Sequence, residues 1–100
     1  MIARIWHGMV PNSKSADYLE LMRKVALPEY KATQGNRGAW CLHRVEGDVT
    51  HFVMLTFWYD VAAIKRFAGD DYSRAKYYDF DSTYLIEKEE RVRHYEVAAE

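Results

Sequence analysis

Apolar side chains occupy both alternating sets of positions in residues 51–60, HFVMLTFWYD, which is unusual for a strand of a small protein. Successive side chains of a β-strand point to opposite faces of the sheet. The two resulting sets are Phe52, Met54, Thr56 and Trp58 on one face, and Val53, Leu55, Phe57 and Tyr59 on the other. The pattern predicts a strand that is covered on both sides.

Residues 2–32 predict a strand followed by a helix. Residues 2–10 carry β-branched and aromatic side chains and end at a Pro-Asn-Ser turn, which is typical of a strand. From about Lys14 onwards, apolar residues recur at helical spacing. Because Pro28 disfavours a helical conformation at the residue before it, we expect the helix to end or kink there, with at most one further turn beyond it.

A hairpin is predicted around the Gly-Asp pair at residues 47–48, because β-rich runs lie on both sides of it. If this pair is the centre of a two-residue turn, Cys41 lies directly opposite Met54. Trp40 and Leu42 then point to the other face of the sheet.

A second helix and a fourth strand are predicted in the C-terminal half. Asp60 is the predicted N-cap of the helix. The apolar stripe of this helix consists of Ala63, Ile64, Phe67 and Ala68. A break at residues 69–71 divides the helix, and its second segment is predicted to begin after Asp71 and to cover residues 72–78. Residues 90–97, ERVRHYEV, alternate enough to predict a strand.

The predicted order βαββαβ describes one α+β domain over residues 1–100. Short connections and right-handed crossovers place both helices on one face of a four-stranded antiparallel sheet. The side chains left uncovered on the other face are Trp40, Leu42, Val53, Leu55 and Phe57. Each aromatic side chain buries about 150 to 250 Å², so this set rivals the roughly 300 to 600 Å² of the largest apolar patch on a typical monomer. We therefore predict a homodimer that forms through this face about a two-fold axis.

The composition excludes several classes of protein. Hydrophobic residues make up 49% of the chain and charged residues 29%, which predicts a packed globule. The 14 basic and 15 acidic residues nearly cancel, so no nucleic-acid partner is expected. Cys41 is the only cysteine, which excludes a disulfide framework. Neither a signal peptide nor a membrane span is predicted, so we expect a cytoplasmic protein without a membrane partner.

Six segments spread over nearly the whole chain resemble one known family. They are IARIWHG at the start, PEYKATQGNRG before the hairpin, the VEGD turn, LTFWYD before the second helix, FAGDD, and HYEV near the end. Together they are similar to the antibiotic biosynthesis monooxygenase-like family of the dimeric α/β-barrel superfamily. The resemblance implies a ferredoxin-like subunit that dimerises into an α/β barrel. It also implies a cavity within each subunit, between sheet and helices, that binds a small and often aromatic substrate.

The resemblance also suggests which residues line that cavity. Trp58 matches a tryptophan that members commonly have before the second helix, and core packing beneath Phe67 is its structural alternative. The full set expected at the cavity is Met54, Trp58, Phe67, Tyr72 and Tyr77. His7 lies where several members place a polar cavity residue, and an imidazole there could orient or deprotonate a phenolic substrate. Its structural alternative is a histidine that is hydrogen-bonded at the rim of the cavity or at the dimer interface. A shift of the first strand by one residue would put Trp6 at the cavity instead.

The first functional hypothesis is a cofactor-independent monooxygenase, in which the deprotonated substrate reacts directly with O₂ and His7 assists. The second is a non-catalytic dimeric protein that binds a small molecule. A haem-degrading role is disfavoured, because it would require an axial histidine on the second helix and no histidine lies between Asp60 and Tyr84.

RNA binding and metal binding are also disfavoured. An RNA-recognition module has the same βαββαβ order, but the basic-Gly-aromatic segment at residues 37–40 falls on the second strand and not the third. The four histidines show no HxxxH or HExxH spacing, so no bound metal is expected.

Overall fold

The sheet has four antiparallel strands in the order β2-β3-β1-β4 in the computed structural model, which describes residues 1–100. The strands are β1 (Ile2–Pro11), β2 (Asn36–Glu46), β3 (Val49–Trp58) and β4 (Arg93–Glu96). The helices are α1 (Ser15–Leu21), α2 (Leu27–Ala32), α3 (Val61–Ala68) and α4 (Asp81–Tyr84). The predicted α+β, ferredoxin-like arrangement is confirmed. None of the helices combines the length and the apolar character that crossing a membrane requires.

Helices α1 and α2 follow each other without a break, because a π-helical segment (Met22–Ala26) joins them. Pro28 lies in the first turn of α2 and has no amide hydrogen to donate to the preceding turn. A wider π-helical turn directly before the proline accommodates this missing bond. The helix therefore deforms before Pro28, as expected, and continues for little more than one turn to Ala32.

The hairpin has the predicted register. Glu46 pairs with Val49, so Gly47 and Asp48 form a two-residue turn, and Gly47 adopts a positive φ of 59°. A φ in this range is available to glycine at little cost and suits such turns. Cys41 lies opposite Met54, as predicted.

The central strand β1 determines what lies beneath the helices. Trp6 pairs with Met54 and faces the helices, on what we call the helix side of the sheet. His7 pairs with Val53 and points to the opposite, helix-free face. The expectation that His7 faces the helices is therefore wrong, and Trp6 occupies that position.

Helix α3 begins and packs as predicted. The Asp60 carboxylate accepts a hydrogen bond of 2.9 Å from the amide of Ala63, which caps the helix. The buried side chains of α3 are Ala63, Ile64 and Phe67. Phe67 packs between two core rings, stacked on Tyr30 at 4.4 Å and tilted against Trp58 at 5.7 Å between ring centroids.

Residues 69–80, which we call the strap, are irregular and do not form the predicted second helical segment. Arg74 forms an isolated β-bridge with Arg91. The amide of Val92 donates to the carbonyl of Ser73 at 2.8 Å, and the amide of Ala75 donates to the carbonyl of Glu90 at 2.9 Å. These long-range bonds satisfy backbone groups that a helix would have paired locally, so tertiary pairing overrides the helical spacing of the tyrosines.

The helix-free face carries the apolar side chains that the hairpin register predicts. Trp40 pairs with Leu55 and Leu42 pairs with Val53. In the single chain Trp40 is 52% exposed and Leu42 is 47% exposed. This face is therefore largely uncovered.

Asp60→Ala should lower the free energy of unfolding by about 1 kcal/mol, because the first turn of α3 loses its cap. Urea unfolding followed by circular dichroism measures this change. Asp70→Ala is the matched control, since Asp70 is exposed and caps no helix. An equal loss in both variants would contradict a specific role of the cap.

Candidate functional site

A small cavity lies between the helix side of the sheet and the layer formed by the helices and the strap. Its lining residues are Trp6, Tyr18, Met22, Ala26, Tyr30, Met54, Lys76, Tyr78 and Asp81. The cavity volume is about 10 Å³, which is room for one water molecule. Any larger guest has to displace part of the surrounding layer.

The structure separates the side chains that were expected to line one cavity. Met54 lines it, whereas Trp58 and Phe67 are packed in the core beside it. The indole of Trp58 donates to the hydroxyl of Thr56 at 2.9 Å. Tyr77 packs edge-on against Trp6 with 6.1 Å between centroids, and its hydroxyl donates to the carbonyl of Glu89.

Trp6 reaches its position because residue 8 has no side chain. A Cβ atom at Gly8 would lie 2.6 Å from the indole ring of Trp6 and 2.8 Å from the side chain of Leu85. The tryptophan followed two positions later by a glycine was the sequence signal for the strand-one register. A glycine in a strand often marks a site where another group approaches closely.

A buried carboxylate organises the polar part of the cavity. Asp81 accepts a hydrogen bond of 2.7 Å from the hydroxyl of Tyr18 and one of 2.6 Å from the amide of Tyr78. Burial, and then the bond to Asp81, raise the pKa of Tyr18 above its ordinary range. Both oxygens of the carboxylate are engaged, and sequence reasoning missed Asp81 because nothing near it marks a buried position.

Two side chains of the strap, Tyr78 and Lys76, contact the carboxylate of Glu29 on α2. The hydroxyl of Tyr78 donates to Glu29 at 2.9 Å, and Lys76 forms a salt bridge with the same carboxylate. Burial, and then Glu29, raise the pKa of Tyr78. Two of the three phenols that line this cavity, Tyr18 and Tyr78, are therefore protonated donors at neutral pH.

Three buried side-chain nitrogen atoms have no hydrogen-bond partner, and all three lie on the helix side of two adjacent strands. They are Nε of Arg4, Nε1 of Trp6 and Nε2 of His94. Arg4 and Trp6 are two residues apart on β1, and Arg4 pairs directly with His94 on β4. We call these atoms the nitrogen row. They are the only buried side-chain nitrogen or oxygen atoms of the chain that lack a partner.

Arg4 is the unusual member of the row because it is a fully buried cation. It forms no salt bridge, and its Nη2 donates only to the carbonyl of Arg74 at 3.4 Å. Burial lowers its pKa. The nearby phenol offers no anion, because burial raises the pKa of Tyr30 to about 12.

A second pocket lies beside His94 at the edge of the sheet. Its volume is about 210 Å³, and it is lined by Ile2, Val61, Tyr72, His94, Tyr95 and Glu96. The rings of Tyr72 and His94 meet edge to face at 5.2 Å between centroids. Burial, and then the charge of Arg4, lower the pKa of His94. The predicted cavity residue Tyr72 thus lines this pocket and not the central cavity.

On the helix-free face, His7 belongs to a series of four hydrogen-bonded side chains. Its Nδ1 contacts Glu89, and its Nε2 lies 2.8 Å from Nδ1 of His51. Nε2 of His51 lies 3.2 Å from Glu46. No group of three or more such side chains is arranged to hold a metal ion. Cys41 is no nucleophile, because burial raises the pKa of its thiol to about 11.

Comparison with known proteins supports the fold. No protein-family model matches the chain, and no curated protein matches it in sequence. The chain is similar to the crystal structure of a point mutant of MhuD with two manganese protoporphyrin IX bound per active site. The TM-score is 0.62 and the identity is 17%, over 100% of this chain and 97% of that chain. The two chains therefore share a fold.

The central cavity of this chain has no room for a porphyrin. The central cavity has room for one water molecule, and no histidine lies along its lining. A haem iron held by a protein takes a histidine, cysteine, methionine or tyrosine ligand. Of the three tyrosines that line this cavity, Tyr18 and Tyr78 already donate to Asp81 and Glu29, and Tyr30 is a neutral phenol in contact with Arg4.

The stability of the protein should depend on pH through His94. Because its pKa is lowered in the folded state, the unfolded chain binds more protons below about pH 6.5, the ordinary pKa of histidine. The contribution of His94 to the free energy of unfolding is fully present above that pH, and it is lost as the pH falls towards the folded-state pKa of His94. The free energy of unfolding should therefore decrease from about pH 7.5 to about pH 5 more steeply in the wild type than in His94→Gln.

Urea unfolding at several pH values measures this slope. His43→Gln, at an exposed histidine of β2, is the matched control and should keep the wild-type slope. If His94→Gln also keeps the wild-type slope, His94 does not contribute to the pH dependence.

Proposed function

We propose that this chain binds a small, largely apolar organic molecule on the helix side of its sheet, with an oxygen of the ligand accepting hydrogen bonds from the nitrogen row. The observation that carries this proposal is the row itself, Arg4, Trp6 and His94. A buried donor without a partner costs about 1 to 3 kcal/mol. Other buried polar groups on this side, such as Asp81, are fully paired. A ligand oxygen would supply the acceptor that the chain itself lacks.

The strap is the part of the layer that can move to admit such a ligand. It contains no regular helix, and two long-range backbone bonds join residues 73 and 75 to residues 90 and 92. Gly69 at its start adopts a φ of 89°, and a Cβ atom there would have no neighbour within 4 Å. Segments with few backbone bonds open at a lower free-energy cost than core strands do.

Cofactor-independent oxygenation of the bound molecule is the reaction that we propose for this site. A phenol and one O₂ would give a quinone and one water molecule, so no external reductant is required. The resemblance to the antibiotic biosynthesis monooxygenase-like family supports this reaction, as does the indole of Trp6, which could hold a phenolate oxygen. We place the protein in the cytoplasm, in keeping with its single free thiol.

One observation favours binding without catalysis as the second candidate. The buried carboxylate Asp81 has both oxygens engaged by Tyr18 and Tyr78. His7, the base expected from the sequence, lies on the opposite face. No free base therefore lines the central cavity, and oxygenation there would require a substrate that ionises readily by itself.

Trp6→Phe should weaken the binding of 1-naphthol, the proposed test ligand, roughly threefold to tenfold, because the ring is kept and one donor is lost. Isothermal titration calorimetry measures the affinity, and an oxygen electrode detects turnover. Trp40→Phe, on the helix-free face, is the matched control and should bind as the wild type does. Equal affinities of the two variants would refute the role of the helix-side indole.

We also propose that two copies of the chain associate through their helix-free faces. Trp40 and Leu42 are about half exposed, and Tyr95 extends the apolar surface along β4 with 53% exposure. Trp40 and Phe57 meet edge to face at 5.8 Å between centroids. Exposed apolar surface of this extent is typical of an interface, and a two-fold axis needs only one self-complementary surface.

Leu55→Asp should convert the dimer into single chains or unfold it, because an unpaired carboxylate would lie at the interface. Light scattering should give twice the 11.8 kDa of one chain for the wild type and 11.8 kDa for the folded variant. Ala62→Asp, on the exposed side of α3, is the control and should remain dimeric. A wild-type protein that is monomeric at micromolar concentration would contradict the dimer.

A further inference from the structure

We infer that the ligand on the helix side is an aromatic carboxylate, whose anionic group binds between Arg4 and His94 and whose ring occupies the pocket beside His94. This inference rests on the proposed ligand-binding function and adds the charge and the position of the ligand. The evidence for it is the position of one buried cation, Arg4.

The free edge of the Arg4 guanidinium is the edge that best binds a carboxylate. Nε has no partner and Nη2 has only the 3.4 Å contact with the carbonyl of Arg74. These two nitrogen atoms form the side-on edge of a guanidinium, which donates two parallel hydrogen bonds to the two oxygens of a carboxylate. The other neighbours are the ring of Phe67, whose centroid lies 5.5 Å from the guanidinium carbon, and the neutral hydroxyl of Tyr30, which forms a hydrogen bond with Arg4.

His94 supplies a further nitrogen atom at the same place, which is a donor when Nε2 carries the ring proton. It pairs directly with Arg4 across the two strands, on the same face of the sheet. Its Nε2 is buried without a partner. An anion between the two side chains would therefore meet three nitrogen atoms that the chain leaves free or weakly bonded.

The pocket beside His94 has room for the rest of such a ligand. Its volume is about 210 Å³. Its walls are the apolar side chains of Ile2 and Val61 and the ring of Tyr72, which suit an aromatic body. Glu96 is the one acidic residue of the lining. It lies opposite Ile2, at the end of the strand pairing and two residues from His94 along β4.

A purely structural role for Arg4 does not account for its surroundings. Buried charges in proteins are generally paired with an opposite charge, because an unpaired one loses its hydration without compensation. No carboxylate reaches Arg4 from any element packed against it, and Tyr30 remains a neutral phenol. A carboxylate ligand would complete the pair.

The test compares 1-naphthoate with 1-naphthamide, which has the same ring and no charge. Wild-type protein should bind 1-naphthoate at least tenfold more tightly by calorimetry. Arg4→Met, which replaces the cation by an apolar side chain of similar length, should abolish this preference without lowering the melting temperature. Arg37→Met, at an exposed arginine of β2, is the matched control and should keep the preference.

A measurement on the wild type covers the case in which Arg4→Met does not fold. In ¹H–¹⁵N spectra, the Nε–H signal of Arg4 should shift on addition of 1-naphthoate and stay in place with 1-naphthamide. Tight binding of both compounds without a preference would overturn the anionic ligand and leave the proposed function standing. Binding of neither compound, nor of 1-naphthol, would overturn both.

Discussion

The register between β1 and β3 decides which side chains of the central strand lie beneath the helices. With Trp6 opposite Met54, the helix side receives Arg4, Trp6 and Gly8, and the helix-free face receives His7. Because side chains alternate with a period of two, a slip of one residue would exchange these sets completely. Both the nitrogen row and the series of histidines and glutamates depend on this single choice.

The sequence predicts some elements of the fold well because their signals are local. The register of the hairpin follows from a two-residue turn with glycine, and the cap of α3 follows from an aspartate before an apolar stripe. The register of β1 has no such marker, since apolar and polar residues are mixed on both of its faces. Its one signal is the tryptophan followed two positions later by a glycine, and what that signal means, the close approach of Trp6 to Gly8, becomes visible only in three dimensions.

The strap and the site are harder to predict because they depend on distant residues. The tyrosines of the strap have helical spacing, yet their backbone pairs with residues some fifteen to twenty positions further along the chain. An arginine in a strand is usually exposed, so nothing in the sequence indicates that Arg4 is buried without a charged partner. The set of cavity residues taken from the family resemblance divides in the structure between the core, the central cavity and the edge pocket.

The four side chains from Glu89 through His7 and His51 to Glu46 form three hydrogen bonds in series. Each neutral imidazole has one ring proton, so the two histidines can donate two hydrogen bonds, whereas the series contains three. If both carboxylates are ionised, all three bonds form only when one of the histidines carries a second ring proton. Without that proton, one of the three contacts would have no hydrogen to share, and that bond would have to open. The series therefore links β1, β2 and β3 to the segment before β4, and together with Arg44, Arg91 and Arg93 it makes this part of the helix-free face polar.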